Sequence, residues 1–257
     1  MTAFFFILFL LIVVPYVVVT LLARKLTLNG NPVMANLAPD DLPEDVVRHF
    51  AKAAPALSTN DFEPIAYFSI ADYTPDTFTF VALWTNAQTQ DVAAVNVMIG
   101  AGGGVLSKKR TVVYTDFYAL FDNGFLILTT NNPDVSWRKP VPSRDVVQVR
   151  DVESAAVVFR LHQNRGARLK PPGVGKFVPP KGEELQWYRG LLAEGLRQQQ
   201  AAGLLEPGEP DKYVPSWLGA FMISTTIVPP MKRIRRWQSN EKAEAELKLT
   251  RGSIKLH

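Results

Sequence analysis

The chain has 257 residues, 47% hydrophobic and 20% charged, with a formal net charge of +4. It is long enough to bury a core, too apolar to be a disordered tail, and less basic than nucleic-acid-binding domains usually are. It has no cysteine and only His49, His162 and His257 as histidines, so disulfides, thiolate sites and cysteine nucleophiles are excluded, and neither a metal nor a cofactor is expected.

Residues 3–23 carry no charge. As a helix they would extend about 31 Å, close to the hydrocarbon thickness of a bilayer. The expectation is a transmembrane anchor over residues 1–25, kinked at Pro15. Tyr16, near mid-span, calls for a backbone carbonyl or a partner helix to take its hydroxyl. A cleaved secretory signal fits poorly, because no Lys or Arg precedes the run and Arg24-Lys25 follows it directly. Those two charges, by the positive-inside rule, place the N-terminus outside and the C-terminal mass in the cytoplasm.

Residues 26–39 read as a connector with a turn at Asn29-Gly30-Asn31-Pro32. Pro43 and Glu44 suit the start of a helix, which the pattern carries to about Ala54 and Pro55 should stop. Val46, Val47, Phe50 and Ala54 form its apolar stripe. From 62 to 149 the period changes to two. Strands are expected over 78–84, 92–99 and 110–121, with Val113, Phe117 and Phe121 on one side of the last. Asp122-Asn123-Gly124 reads as a hairpin turn, 125–130 as an antiparallel return strand, and 146–149 as an edge strand. Residues 153–163 follow as a helix, with Ala156, Val157 and Leu161 toward the sheet. The whole of 40–165 is therefore an α+β domain with an antiparallel sheet.

Residues 166–182 contain Pro171-Pro172-Gly173 and Pro179-Pro180-Lys181-Gly182 and read as a stiff linker. An amphipathic helix over 183–202 and a small hairpin around 204–214 begin a helical module, 183–239. The stretch from Gly203 to Tyr213 resembles the wing hairpin of winged-helix domains. The resemblance covers a small part of the chain, lacks a recognition helix and carries no function over. Residues 217–228 are apolar but, at about 18 Å as a helix, too short to span. Pro229-Pro230 ends them and Lys232, Arg233, Arg235, Arg236 and Trp237 follow. A short apolar helix with a basic flank suits the headgroups of an anionic leaflet; a buried core helix with a solvated basic face is the alternative. Residues 240–257 form a charged tail.

Candidate chemistry is sparse. Gly100, Gly102, Gly103 and Gly104 with Lys108-Lys109-Arg110 offer backbone N–H groups and charge for a phosphate, but lack the order of a P-loop and read as a hairpin loop. Asp116 stands within an apolar strand, on the face opposite Phe117, where solvent exposure is the plain expectation. His162 has polar neighbours and reads as a surface histidine. Catalytic, cofactor and metal residues are not singled out. The candidate membrane-interface residues are Arg24, Lys25, Trp217, Phe221, Lys232, Arg233, Arg235, Arg236 and Trp237.

The sequence therefore suggests a membrane-anchored, non-enzymatic accessory or scaffold subunit of a larger membrane complex. Its partners would be a bilayer and membrane proteins, not nucleic acid. A lipid- or amphiphile-binding module is the second reading and a membrane-tethered enzyme the third.

Overall fold

In a computed structural model, residues 2–100 and 110–253 are described, with side chains at 11, 13–100 and 110–250. The first helix, α1 (Thr2–Ala23), is followed by two short strands, β1 (Leu28–Asn29) and β2 (Val33–Asn36). Helix α2 (Glu44–Ser58) leads into the sheet: β3 (Phe62–Ala71), β4 (Thr77–Asn86), β5 (Asp91–Gly100), β6 (Arg110–Phe121), β7 (Leu126–Thr130) and β8 (Arg144–Gln148). Then come α3 (Ala155–Leu169), β9 (Lys176–Phe177), α4 (Glu184–Ala201), β10 (Leu205–Pro207), β11 (Lys212–Pro215), α5 (Trp217–Ile227) and α6 (Met231–Ser253).

The main sheet runs β2-β3-β4-β5-β6-β7-β8, and β9 pairs with β6. Every pairing is antiparallel except β7 with β8, which is parallel. The expected antiparallel sheet with flanking helices is therefore present. The edge strand expected at 146–149 joins in the opposite sense, because the loop 131–143 carries the chain back past β7 before β8 begins. A second sheet, β1-β11-β10, ties the early connector to the later hairpin. Its corner needs Gly30, where a Cβ would lie 2.7 Å from the Tyr213 ring.

Helices cover both faces of the main sheet. On one side α2, α3 and the middle of α6 pack Phe50, Phe159, Leu161 and Ala243 against Phe62, Trp84 and Phe117. On the other, α4 lays Tyr188, Leu185 and Leu192 over Phe68, Leu83, Tyr118 and Leu126. Each large side chain so buried contributes roughly 1.5–3 kcal/mol.

Some elements differ from the sequence expectation. Pro55 lies inside α2 and does not stop it. The helix continues because Leu57 beyond it is fully buried, and the Pro55 carbonyl accepts from Thr59 N at 3.0 Å. In α3 the buried face is Val158, Phe159 and Leu161, while Val157 is exposed. Within 166–182, α3 extends to Leu169 and Lys176–Phe177 joins the sheet. Gly100 and Arg110 pair as strand ends; residues 101–109, with most of the glycine-lysine stretch, lie outside the described residues.

Among the described residues no helix is long and apolar enough to cross a membrane. The expectation of a transmembrane span at residues 3–23 thus gains no support from the fold itself.

Candidate functional site

The most distinctive surface is made by α1 and α5. Ser216 caps α5: its hydroxyl accepts from Gly219 N at 3.0 Å and donates to Gly203 O at 2.7 Å. A Cβ at Gly219 would stand 1.9 Å from the Leu204 carbonyl oxygen, so α5 rests directly on that backbone. Ala220 and Ile223, on the buried side of α5, pack with Ala23, Leu26 and Trp137.

The two helices lie antiparallel. At one end Arg24, beyond the last turn of α1, reaches the start of α5. It donates to Glu206 at 2.8 Å and to the Pro215 carbonyl, with its guanidinium 5.2 Å above the Trp217 ring. At the other end the Tyr16 hydroxyl donates to Val228 O at 3.0 Å and accepts from Met231 N at 3.1 Å. Tyr16 thus takes the backbone carbonyl that its position in an apolar run demanded, and it stitches the turn between α5 and α6.

What faces outward from this pair is apolar. Leu11, Val14, Val17, Val18 and Leu21 on α1, and Trp217, Leu218 and Phe221 on α5, are all exposed; Trp217 reaches 61%. A groove of about 430 Å³ lies between Val13, Val17 and Leu21 of α1 and Trp217 and Phe221 of α5. Trp217 and Phe221 are therefore not core residues.

The remaining candidate interface residues divide. Lys25, Lys232, Arg233 and Trp237 are exposed. Arg235 is half-buried, with Nη2 2.8 Å from Met222 Sδ, and burial lowers its pKa. Arg236 faces Asp151 at 3.5 Å. The basic run that looks uniform in sequence thus presents two cations, Lys232 and Arg233, whose side chains have no partner among the described residues, beside the Tyr16 end of α5.

Two buried polar groups were not legible as such. His162 is 0% exposed, not a surface histidine. Arg165 donates to Thr129 Oγ1; the Thr129 hydroxyl meets His162 Nδ1 at 3.0 Å; His162 Nε2 points at Asp91 Oδ1, 3.6 Å away; and Lys176 lies 2.5 Å from Asp91. Burial lowers the His162 pKa, against the opposing pull of the Asp91 carboxylate. Burial alone would raise Asp91, but its partners His162 and Lys176 outweigh that and hold its pKa down. The hydroxyl, imidazole and carboxylate follow the order of a nucleophile relay. Thr129 and His162 are sealed at 0% exposure and Asp91 at 1%, so no substrate meets them. They lock α3 and β9 to the sheet.

The second group surrounds Asp116, which is 8% exposed and not on an open face, because α4 covers that side of β6. Its carboxylate accepts from Tyr118 at 2.9 Å and Asn96 at 3.2 Å, and Tyr188 of α4 donates to Asn96 at 3.2 Å. Burial raises its pKa to about 6, against these hydrogen bonds and one from Thr130. Tyr114 and Arg138 lie within electrostatic reach of it, and Tyr73 and Arg144 within reach of Arg138.

Among the described residues, no group of acids and histidines could hold a metal ion. No protein-family model, curated protein or solved structure matches the chain.

Proposed function

We propose that this protein is a membrane-anchored, non-enzymatic accessory or scaffold subunit of a larger membrane complex, with its N-terminus outside and its folded mass in the cytoplasm. The supporting observation is the continuous apolar surface of α1 and α5. A soluble monomer rarely leaves such a patch uncovered. Lipid along the outer part of α1, and lipid or a partner's helix along the α1–α5 face, would cover it. Although no helix among the described residues is long and apolar enough to cross a membrane, in sequence the uncharged run 3–23 has the length of a span and Arg24-Lys25 supplies the positive flank. Tyr16 and Arg24 fix the inner half of α1 to the domain at two points, so a partner bound in the membrane would be held at a set orientation to the sheet.

The second reading, binding of an amphiphile, has one observation in its favour. Both sheet faces are filled by side chains, but the groove between α1 and α5 has room for an acyl chain. The two readings separate when the full chain is extracted from membranes in mild detergent. A scaffold brings down a protein partner in fixed ratio, and that partner is lost in a V17S/L21S/F221S variant. A lone, monodisperse protein carrying stoichiometric lipid favours the amphiphile reading. Release from membranes by alkaline carbonate without detergent contradicts anchoring in either form.

A further inference from the structure

The crossover loop 131–143 carries Arg138, and β8 opens with Arg144 on the same side of the sheet as α4. Their guanidinium nitrogens converge on Gly195 of α4. A Cβ built there would meet Arg144 Nη1 at 3.3 Å and Arg138 Nη1 at 3.8 Å. Two cations thus share one small volume that the helix leaves free of a side chain.

Neither cation has a carboxylate within ion-pair distance among the described residues. Arg138 donates to the Tyr73 hydroxyl at 2.9 Å and Arg144 to the Leu191 carbonyl at 3.3 Å, and most of their ten N–H donors have no protein partner among the described residues. The nearby acids stay beyond ion-pair distance, although the charge of Arg138 reaches Asp116 and that of Glu194 reaches Arg144. Asp116 accepts from Tyr118 and Asn96 behind the pair, and Glu194 pairs with Arg197 at 3.1 Å. Burial, then the charge of Arg138, push the Arg144 pKa down against the charge of Glu194, whereas Arg138, exposed at the surface, is pushed up by the neighbouring Tyr73. Two guanidiniums brought to one space in this way present a cationic gap that an anion can fill.

The arrangement is also built rather than incidental. Gln199, 3% exposed, grips the backbone next to Arg138 from both sides: Lys139 N donates to its Oε1 at 2.9 Å, and its Nε2 donates to Lys139 O at 3.2 Å. On the other side of Arg138, Trp137 packs against Ala23 and Leu26 at the end of α1. The loop is therefore anchored to α4 and to the base of the apolar helix pair at once.

We propose that Arg138 and Arg144, with Tyr73, form a binding site for a phosphate group. Paired guanidiniums match the oxygens of a phosphate in fork geometry, and the phenol adds a further polar contact. The phosphate can come from an anionic phospholipid headgroup, which the neighbouring end of α1 would bring within reach, or from a soluble phosphate ester. The lipid source rests on the membrane reading above; the phosphate chemistry does not.

The test uses the full chain in dodecyl maltoside micelles, where no bilayer is needed. Inorganic phosphate is titrated while the melting temperature and binding heat are followed. The same is done in mixed micelles containing phosphatidic acid or phosphatidylcholine. The proposal requires saturable binding of phosphate or of phosphatidic acid, weakened at least tenfold in R138Q/R144Q. A G195L variant, which keeps both charges but fills the space between them, should lose binding too, and it covers the case in which the double variant fails to fold. Binding of phosphatidic acid alone assigns the site to lipid; binding of both at similar strength assigns it to a free phosphate group. No saturable binding of either, or binding unchanged in the folded variants, overturns the proposal, and neither result depends on whether α1 enters a membrane.

Discussion

At Gly219 the absence of a side chain decides whether α5 can dock, since a Cβ would collide with the Leu204 carbonyl at 1.9 Å. Gly219→Ala should therefore lower stability, by about 1–3 kcal/mol as in other overpacked sites, despite the higher helix propensity of alanine. Chemical denaturation measures this; an unchanged or raised midpoint would show that α5 shifts freely. Asp116 gives a pH signature. Its folded-state pKa, about 6, is above the ordinary 3.8, so the folded protein holds a proton that the unfolded chain releases. Stability from this group is therefore present below pH 4 and is lost as pH rises toward 6, by up to about 3 kcal/mol. Asp116→Asn cannot titrate, so the difference in unfolding free energy between wild type and variant should change across pH 4–6 and be flat above 7. A constant difference would mean that Asp116 is ordinarily solvated. The sign is opposite for Asp91, whose depressed pKa makes its contribution one that acid removes.

Among the elements, α5 is the one whose surroundings differ most on its two sides. Ala220 and Ile223 are buried while Trp217 and Phe221 are exposed. In nanodiscs containing brominated lipid, Trp217 should contribute strongly to tryptophan quenching. Trp217→Phe should reduce the quenching and leave the thermal transition nearly in place, as for other surface changes. A drop of several degrees with quenching unchanged would instead put protein over that ring. Lys232 and Arg233 have no side-chain partner among the described residues, and each contributes roughly 1 kcal/mol beside an anionic surface. Quenching of Trp237 should accordingly depend on anionic lipid and weaken in K232Q/R233Q; insensitivity to both would detach α6 from the membrane surface. Most strands were legible because alternation and the Asp122-Asn123-Gly124 turn are local signals. The parallel pairing of β8 was not, since periodicity says nothing of a partner's direction. The nearly continuous apolar run of β5 was the available sign that the sheet is covered on both faces. With that, Asp116 and His162 would have been expected inside. The division of the basic run, and the meeting of Arg138 with Arg144, depend on contacts between distant segments that no local pattern records.

For the molecule as a whole, the two sheets, α4 and the loop 131–143 converge on the end of α1, through Trp137, Leu28 and Leu196. The folded mass thus packs directly against the helix that is proposed to anchor it. If α1 crosses the membrane with Arg24 and Lys25 on the cytoplasmic side, then α2, α3 and the main sheet all lie there too. The chain has no cysteine, so one introduced at the exposed Ser58, the last residue of α2, is a unique reporter. An impermeant maleimide applied to intact cells should leave Ser58→Cys unmodified in a membrane fraction that resists carbonate, and should label it fully once the cells are opened. Labelling in intact cells would reverse the orientation, and recovery of the protein in the soluble fraction would contradict membrane anchoring itself.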